Sequence, residues 1–167
     1  AIARERITTG SAMWSNANAH VLPVSRTDRM VSGAFSGHEF SLRSQSFMKI
    51  SICVPTYNHS ALLANCLSSI IRSQSISPID LEVCVSDNCS TDDTEEIVAR
   101  AQASIPIEYS RNAENYGLAR NIVKAASMAR GEFVWVIGDD DMLLPSAVSA
   151  LSDLIERNPD VDFFYIN

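Results

Sequence analysis

From residue 48 onward the sequence predicts an α/β fold with a Rossmann-like, largely parallel sheet and helices on both faces. Two patterns carry that reading. Several short stretches are near-continuous runs of strand formers, as in strands covered on both sides of a parallel sheet. Between them lie segments whose apolar residues recur at three- and four-residue steps, the stripe of an amphipathic helix. The joining loops are short, as right-handed strand–helix–strand crossovers require.

Each element follows from its residues. "KISICVP" (49–55) is a buried strand that stops at Pro55, which has no N–H for the ladder. Leu62, Leu63, Cys66, Leu67, Ile70 and Ile71 share one face of a helix over 60–73. "IDLEVCVS" (79–86) is a second strand. "STDDTEEIVARAQA" (90–103) reads as a helix capped by Ser90 and Thr91, with acids in its first turn. "IPIEYS" (105–110) alternates like a strand, and a third helix runs through 118–130 to Gly131, a C′ glycine. "EFVWVIG" (132–138) is a fourth, buried strand; Pro145 opens a helix over 145–157, and "VDFFYIN" (161–167) is a last strand.

Residues 1–47 differ from this. They hold eight serines and no sustained period of 2 or 3.6, so the segment reads as disordered or as a non-native extension, with the folded unit spanning 48–167. His20 and His38 fall there without ligand-like neighbours. Charge divides the same way. The chain has 13 basic and 20 acidic residues for a net charge of −7. Five Arg and three acids lie in the first 47 residues, leaving eight basic and seventeen acidic residues for the rest, a net of −9. That balance argues against nucleic acid as a partner, since phosphate-backbone binding rests on clustered Lys and Arg. No stretch approaches a membrane span of ~20 apolar residues. No secretory signal is visible either. The expected location is cytoplasmic, with peripheral attachment to a membrane as the alternative. Cys53, Cys66, Cys84 and Cys89 match neither a redox pair nor a zinc site; Cys53 and Cys84 sit inside apolar runs, so the reading is of core thiols, with a disulfide or a regulatory thiol as the alternative.

In an open α/β sheet, ligands bind beyond the carboxyl ends of the strands. "PTYN" puts Tyr57 there, where a half-exposed ring can stack on a planar base. His59, taken singly, reads as a surface residue at a helix start. Asp87 and Asn88 end the second strand and can accept from a base N–H or a ribose hydroxyl. Capping is the alternative reading of the acids that follow. Asp139, Asp140 and Asp141 repel one another at the end of a buried strand unless a cation or donors offset them. Hard divalent ions suit such an all-oxygen set.

Taken together, "ISICVPTYN", "LEVCVSDNCSTDDT" and "NYGLARNIVKAASMARGEFVWVIGDDDMLLP" resemble the family-2 glycosyltransferases of GT-A fold, across essentially all of 48–167. The resemblance implies that Pro55, Tyr57, Asp87 and Asn88 hold the nucleotide base, although many members have a second Asp where Asn88 stands. It implies that Asp139 lies near the ribose, that Asp140 binds Mg²⁺ or Mn²⁺ bridging the diphosphate, and that Asp141 is an alternate or supporting ligand. Gly117, Arg120 and Asn121 match a recurrent "G-x-x-R-N" segment, with Arg120 expected at the nucleotide sugar. The implied donor is a nucleotide-diphosphate sugar, and the implied acceptor a glycan or lipid-linked saccharide hydroxyl. Transfer is expected to invert the anomeric carbon. Around "GDDD", abequosyl- and rhamnosyl-type transferases of surface-polysaccharide assembly look similar. The family's catalytic base and acceptor-binding half would fall beyond Asn167, so the chain reads as a truncated, nucleotide-sugar-binding portion. The alternative is a non-catalytic binding fragment. A sugar-nucleotidyltransferase fits worse, because "PTYNHSALL" lacks that class's Gly-rich loop.

Overall fold

A computed structural model describes residues 19–23, 49–76 and 79–166. Six strands and four helices follow one another along the chain: β1 (Ala19–Pro23), β2 (Lys49–Thr56), α1 (Ser60–Ile76), β3 (Asp80–Asp87), α2 (Thr94–Ala101), β4 (Ile107–Arg111), α3 (Leu118–Ser127), β5 (Phe133–Val136), α4 (Ala147–Arg157) and β6 (Phe164–Ile166). They form one sheet in the order β4-β3-β2-β5-β1-β6. β2, β3, β4 and β5 run parallel, with Cys53 opposite both Cys84 and Val136. β1 is antiparallel to β5 and to β6.

Period-2 alternation divides the sheet into two cores. Ile50, Ile52, Val54, Val83, Val85 and Trp135 share a cluster with Leu63, Leu67 and Ile70 of α1 and with Val148, Leu151 and Ile155 of α4. Cys53, Cys84 and Val134 cluster on the other side with Ala125 of α3. Helices on both faces therefore cover strands that carry almost no exposed residues, and the α/β reading holds. All four cysteines are free; Cys53, Cys66 and Cys84 are buried and Cys89 is half-buried.

Several expectations are corrected at the element ends. Residues 19–23, inside the stretch read as disordered, form β1 between β5 and β6; the rest of 1–47, including His38, lies outside the described residues. The second helix starts at Thr94, not at 90. Its cap is not Ser90 or Thr91. Instead, Asp92 Oδ1 accepts from the Thr94 N–H at 3.2 Å and from the Thr94 hydroxyl at 2.5 Å, and its Oδ2 accepts from the Ser60 N–H at 2.8 Å. One carboxylate thus serves the first turns of two helices. The third helix closes at Met128 in right-handed conformation, so Gly131 is not its C′ residue. Its N–H donates to the Ser51 hydroxyl at 2.8 Å. No helix among the described residues is long and apolar enough to cross a membrane.

Candidate functional site

β3 and β4 follow β2 on one side and β5 joins it on the other, so the strand order reverses at β2. The crevice beyond its carboxyl end is where open α/β sheets bind ligands. Thr56 closes β2, and its hydroxyl donates to Asp139 Oδ2 at 2.7 Å across the reversal point. His59 Nδ1 lies 3.2 Å from both oxygens of the same carboxylate. Asp139 is 7% exposed and is held from two directions. Tyr57 stands beside it at the mouth, 42% exposed. Pro55 is buried within the strand, opposite Ser86, and so lies beneath the crevice and not in it.

The acidic loop after β5 is folded on its own backbone. Gly138 N–H donates to Asp141 Oδ2 at 2.9 Å, and Asp141 N–H returns a bond to Gly138 O at 3.3 Å. The Cys66 thiol donates to Gly138 O from below. Burial, then the charges of Asp139, Asp141 and Asp140, push that thiol's pKa up. Asp140 is exposed and has no hydrogen-bond partner among the described residues. A Cβ built on Gly138 would lie 2.6 Å from Asp140 Oδ1 and 3.1 Å from Asp141 Oδ2. Two carboxylates therefore bend over the same bare stretch of backbone, and glycine leaves room for them. Burial raises the Asp141 pKa; the Gly138 N–H opposes this, and the charges of Asp140 and Asp139 add to it.

The three aspartates do not converge on one point, and no set of three His, Cys, Asp or Glu residues among those described is arranged as a metal cage. Asp139 is turned toward Thr56 and His59, leaving Asp140 and Asp141 as the pair the fold brings together. A pair of hard oxygen donors fits Mg²⁺ or Mn²⁺, which typically take one or two carboxylates and complete the shell with phosphate oxygens and water.

The loops after β3 and β4 are built from amides. Asp87 is 1% exposed: its Oδ1 accepts from the Ser90 N–H at 2.8 Å and its Oδ2 from the Tyr109 hydroxyl at 2.8 Å. Burial, followed by that bond and the Asp87 charge, drives the Tyr109 pKa up, so the phenol stays a donor. Asn88 is buried as well. Its Oδ1 accepts from Asn112 Nδ2 at 3.1 Å and from the Tyr116 N–H at 2.9 Å, while its Nδ2 donates to Asn115 Oδ1 at 2.7 Å. Asn121 Nδ2 donates to Thr56 O and Ser86 O, and its Oδ1 accepts from the Ser86 hydroxyl and from Asn112 Nδ2. Neither Asp87 nor Asn88 presents its polar atoms to solvent. Asn58 and Cys89, at φ of 54° and 68°, take the left-handed conformation where these loops knit together. There Asn58 N–H donates to Ser90 Oγ and Thr91 N–H to Asn58 Oδ1. Arg120 is exposed on the first turn of α3 with no partner among the described residues, and is not brought to the carboxylates.

Sequence reasoning missed Thr56, His59, Asn112 and Asn115. His59 is exposed as expected at a helix start, yet its ring reaches Asp139. One signal was available: polar residues just past buried strands 83 positions apart in sequence can meet only if the two strands are neighbours, which the strand order makes them.

A family model described as Glycosyl transferase family 2 matches residues 51–166. Abequosyltransferase RfbV of Salmonella typhimurium is 38% identical over 116 residues, 68% of this chain and 34% of that protein. The GalNAc(5)-diNAcBac-PP-undecaprenol beta-1,3-glucosyltransferase of Campylobacter jejuni is 41% identical over 106 residues, 62% of this chain and 33% of that protein. Among solved structures, Staphylococcus aureus TarS 1-349 in complex with UDP aligns with TM-score 0.62 and 29% identity, covering 67% of this chain and 33% of that one. The mannosyltransferase PcManGT of Pyrobaculum calidifontis, in complex with GDP-Man and Mn²⁺, aligns with TM-score 0.58 and 28% identity, covering 70% and 34%. The chain thus spans about a third of the length of these relatives.

Proposed function

The chain belongs to glycosyl transferase family 2, and from that premise we propose that it binds the donor, a nucleotide-diphosphate sugar, for transfer to an acceptor hydroxyl. The observation that carries this reading is the Asp139 carboxylate fixed at the strand-order reversal by Thr56 and His59, next to the Asp140–Asp141 pair over Gly138. Similarity to proteins solved with UDP and with GDP-Man and Mn²⁺ supports it.

In this reading the ribose hydroxyls meet Asp139, whose orientation is set before the donor arrives. Asp140 and Asp141 are the residues that would hold Mg²⁺ or Mn²⁺. When bound, the ion supplies Lewis acidity that stabilises the departing nucleoside diphosphate. Tyr57 lies against the base. The acceptor hydroxyl attacks the anomeric carbon on the face opposite the diphosphate, which inverts that carbon. A glycan or lipid-linked saccharide is the acceptor class, in keeping with the undecaprenol-linked substrate in the Campylobacter relative's name.

Titration calorimetry with UDP, dTDP, GDP and CDP, with and without Mn²⁺, tests the donor half. Binding of one nucleotide that needs the metal and is lost in Asp140→Ala is the expected result. No binding of any of the four, or binding indifferent to that substitution, overturns it.

A further inference from the structure

Asn88 is expected from the family resemblance to touch the base, but its side chain is fully committed inside the fold. What it holds is informative. Its backbone N–H donates to Thr56 O at 2.9 Å, one residue before Tyr57. Its side-chain oxygen accepts the Tyr116 N–H at 2.9 Å. Tyr57 and Tyr116 are both about two-fifths exposed, at 42% and 41%. One buried residue therefore anchors the backbone beside each of two exposed aromatic rings.

The orientation of each amide is dictated by backbone groups. Tyr116 N–H and Gly117 N–H can only donate, so the atoms they meet, Asn88 Oδ1 and Asn115 Oδ1, must be oxygens. Thr56 O and Ser86 O can only accept, so Asn121 presents nitrogen to them. Asn112 Nδ2 then spends its two protons on Asn88 Oδ1 and Asn121 Oδ1. Each of these bonds has a single assignment of donor and acceptor. A carboxylate at 88 could still accept from Tyr116 and Asn112, but it has no proton for Asn115 Oδ1 and would set two oxygens against each other at 2.7 Å. The amide therefore fits this network where a carboxylate would not.

We propose that Asn88 is a positioning residue that acts through the 112–117 segment, and that Tyr116, held by that anchor, is an aromatic contact for the donor's planar base in addition to Tyr57. The inference rests on the donor-binding reading above. Gly117, at φ +80°, turns the chain into α3 immediately after Tyr116, so the ring's position depends on the Asn88 and Asn115 bonds and not on helical packing.

Hydrogen exchange and calorimetry on the full 167-residue chain test this together. In Asn88→Asp and in Asn115→Ala, exchange at the Tyr116 and Gly117 amides should quicken while the β2 and β3 amides keep their protection. The Asn115 variant removes the same link from an exposed position, so it remains readable if the buried carboxylate prevents folding. Tyr116→Ala should weaken binding of the preferred nucleoside diphosphate about tenfold, the size of one base–aromatic stack. The Asn115→Ala/Tyr116→Ala double variant should lose no more than Tyr116→Ala alone. Unchanged exchange at 116 and 117, full affinity in Tyr116→Ala, or additive losses in the double variant would each overturn the inference and leave the donor-binding reading standing. Failure of the unsubstituted chain to bind any nucleotide strikes that reading instead.

Discussion

The two rims of the crevice are built on opposite rules. On the β3–β4 side, Asn88, Asn112 and Asn121 sit buried and hydrogen-bond to one another, to Asn115 and to the backbone. On the β5 side, Asp140 is exposed without a partner among the described residues, and burial and neighbouring charge make the ionised form of Asp141 less favourable. The acidic rim holds charge that the fold leaves uncompensated, which is the expected arrangement for a surface completed by a cation. The amide rim is thus part of what holds the fold together, while Asp140 on the other rim supports none of it.

Substitutions on the two sides should separate cleanly. The largest effect is expected from Asp140→Asn. Metal-dependent nucleotide affinity should fall by about two orders of magnitude, as loss of a direct charge–metal contact would do. Its melting temperature without metal should stay within a degree or two, because the side chain supports nothing in the fold. A large loss of stability would show that the acidic rim is scaffold after all. The converse is Asn121→Ala, which takes a donor from the Thr56 and Ser86 carbonyls and an acceptor from the Ser86 hydroxyl and one Asn112 amide proton. It should cost about 2–4 kcal/mol in denaturant unfolding, and any loss of nucleotide affinity should follow from that.

Thr56→Val tests the bridge between the rims. It keeps the shape and deletes the 2.7 Å bond to Asp139. Affinity should fall several-fold, with Thr56→Ser restoring most of it. Asp141→Asn probes the stored charge: the amide oxygen can still accept from Gly138, and the raised carboxyl pKa means that ionisation opposes folding. Metal-free protein should therefore gain slightly in stability above the ordinary carboxylate range, by about 1 kcal/mol or less. Thermal melts at neutral pH, with and without Mn²⁺, check both signs, since the same variant should gain less from the metal.

The smallest effect belongs to Asp92, away from both rims. Burial works against its ionised form, but the Thr94 and Ser60 hydrogen bonds outweigh that and lower its pKa. Its contribution should be fully present above the ordinary value near ~3.9 and fade as pH falls through the lower folded value. Acid titration of melting temperature should lose that increment in Asp92→Ala.

The contrast also explains what could be read in advance. Buried strands and striped helices repeat a period over many residues, so the segments that became β2, β3, β5, α1 and α4 stood out, with errors confined to their ends. β1 did not: five residues carry too little pattern to register a period, and its partners lie more than a hundred positions away. Asp139, Asp140 and Asp141 were conspicuous because adjacent like charges are costly. The amide rim was invisible, since an asparagine has neither charge nor period, and its role appears only once Asn88, Asn112 and Asn121 come together. That Asp87 and Asn88 are buried and bonded to Tyr109 and Tyr116 was hidden for the same reason. Nothing local shows that Tyr109 and Tyr116 will come back to meet them.

The bond from Thr56 to Asp139 also fixes when the crevice can exist. During synthesis, 83 residues must follow Thr56 before its partner is made, and β5 must then dock on the far side of β2. A chain paused with β2, β3 and β4 in place has its amide rim and no acidic one. Nucleotide capture in the presence of metal would then report completion: intermediates short of β5 docking would be silent to it, and ligand would draw the population toward the finished sheet.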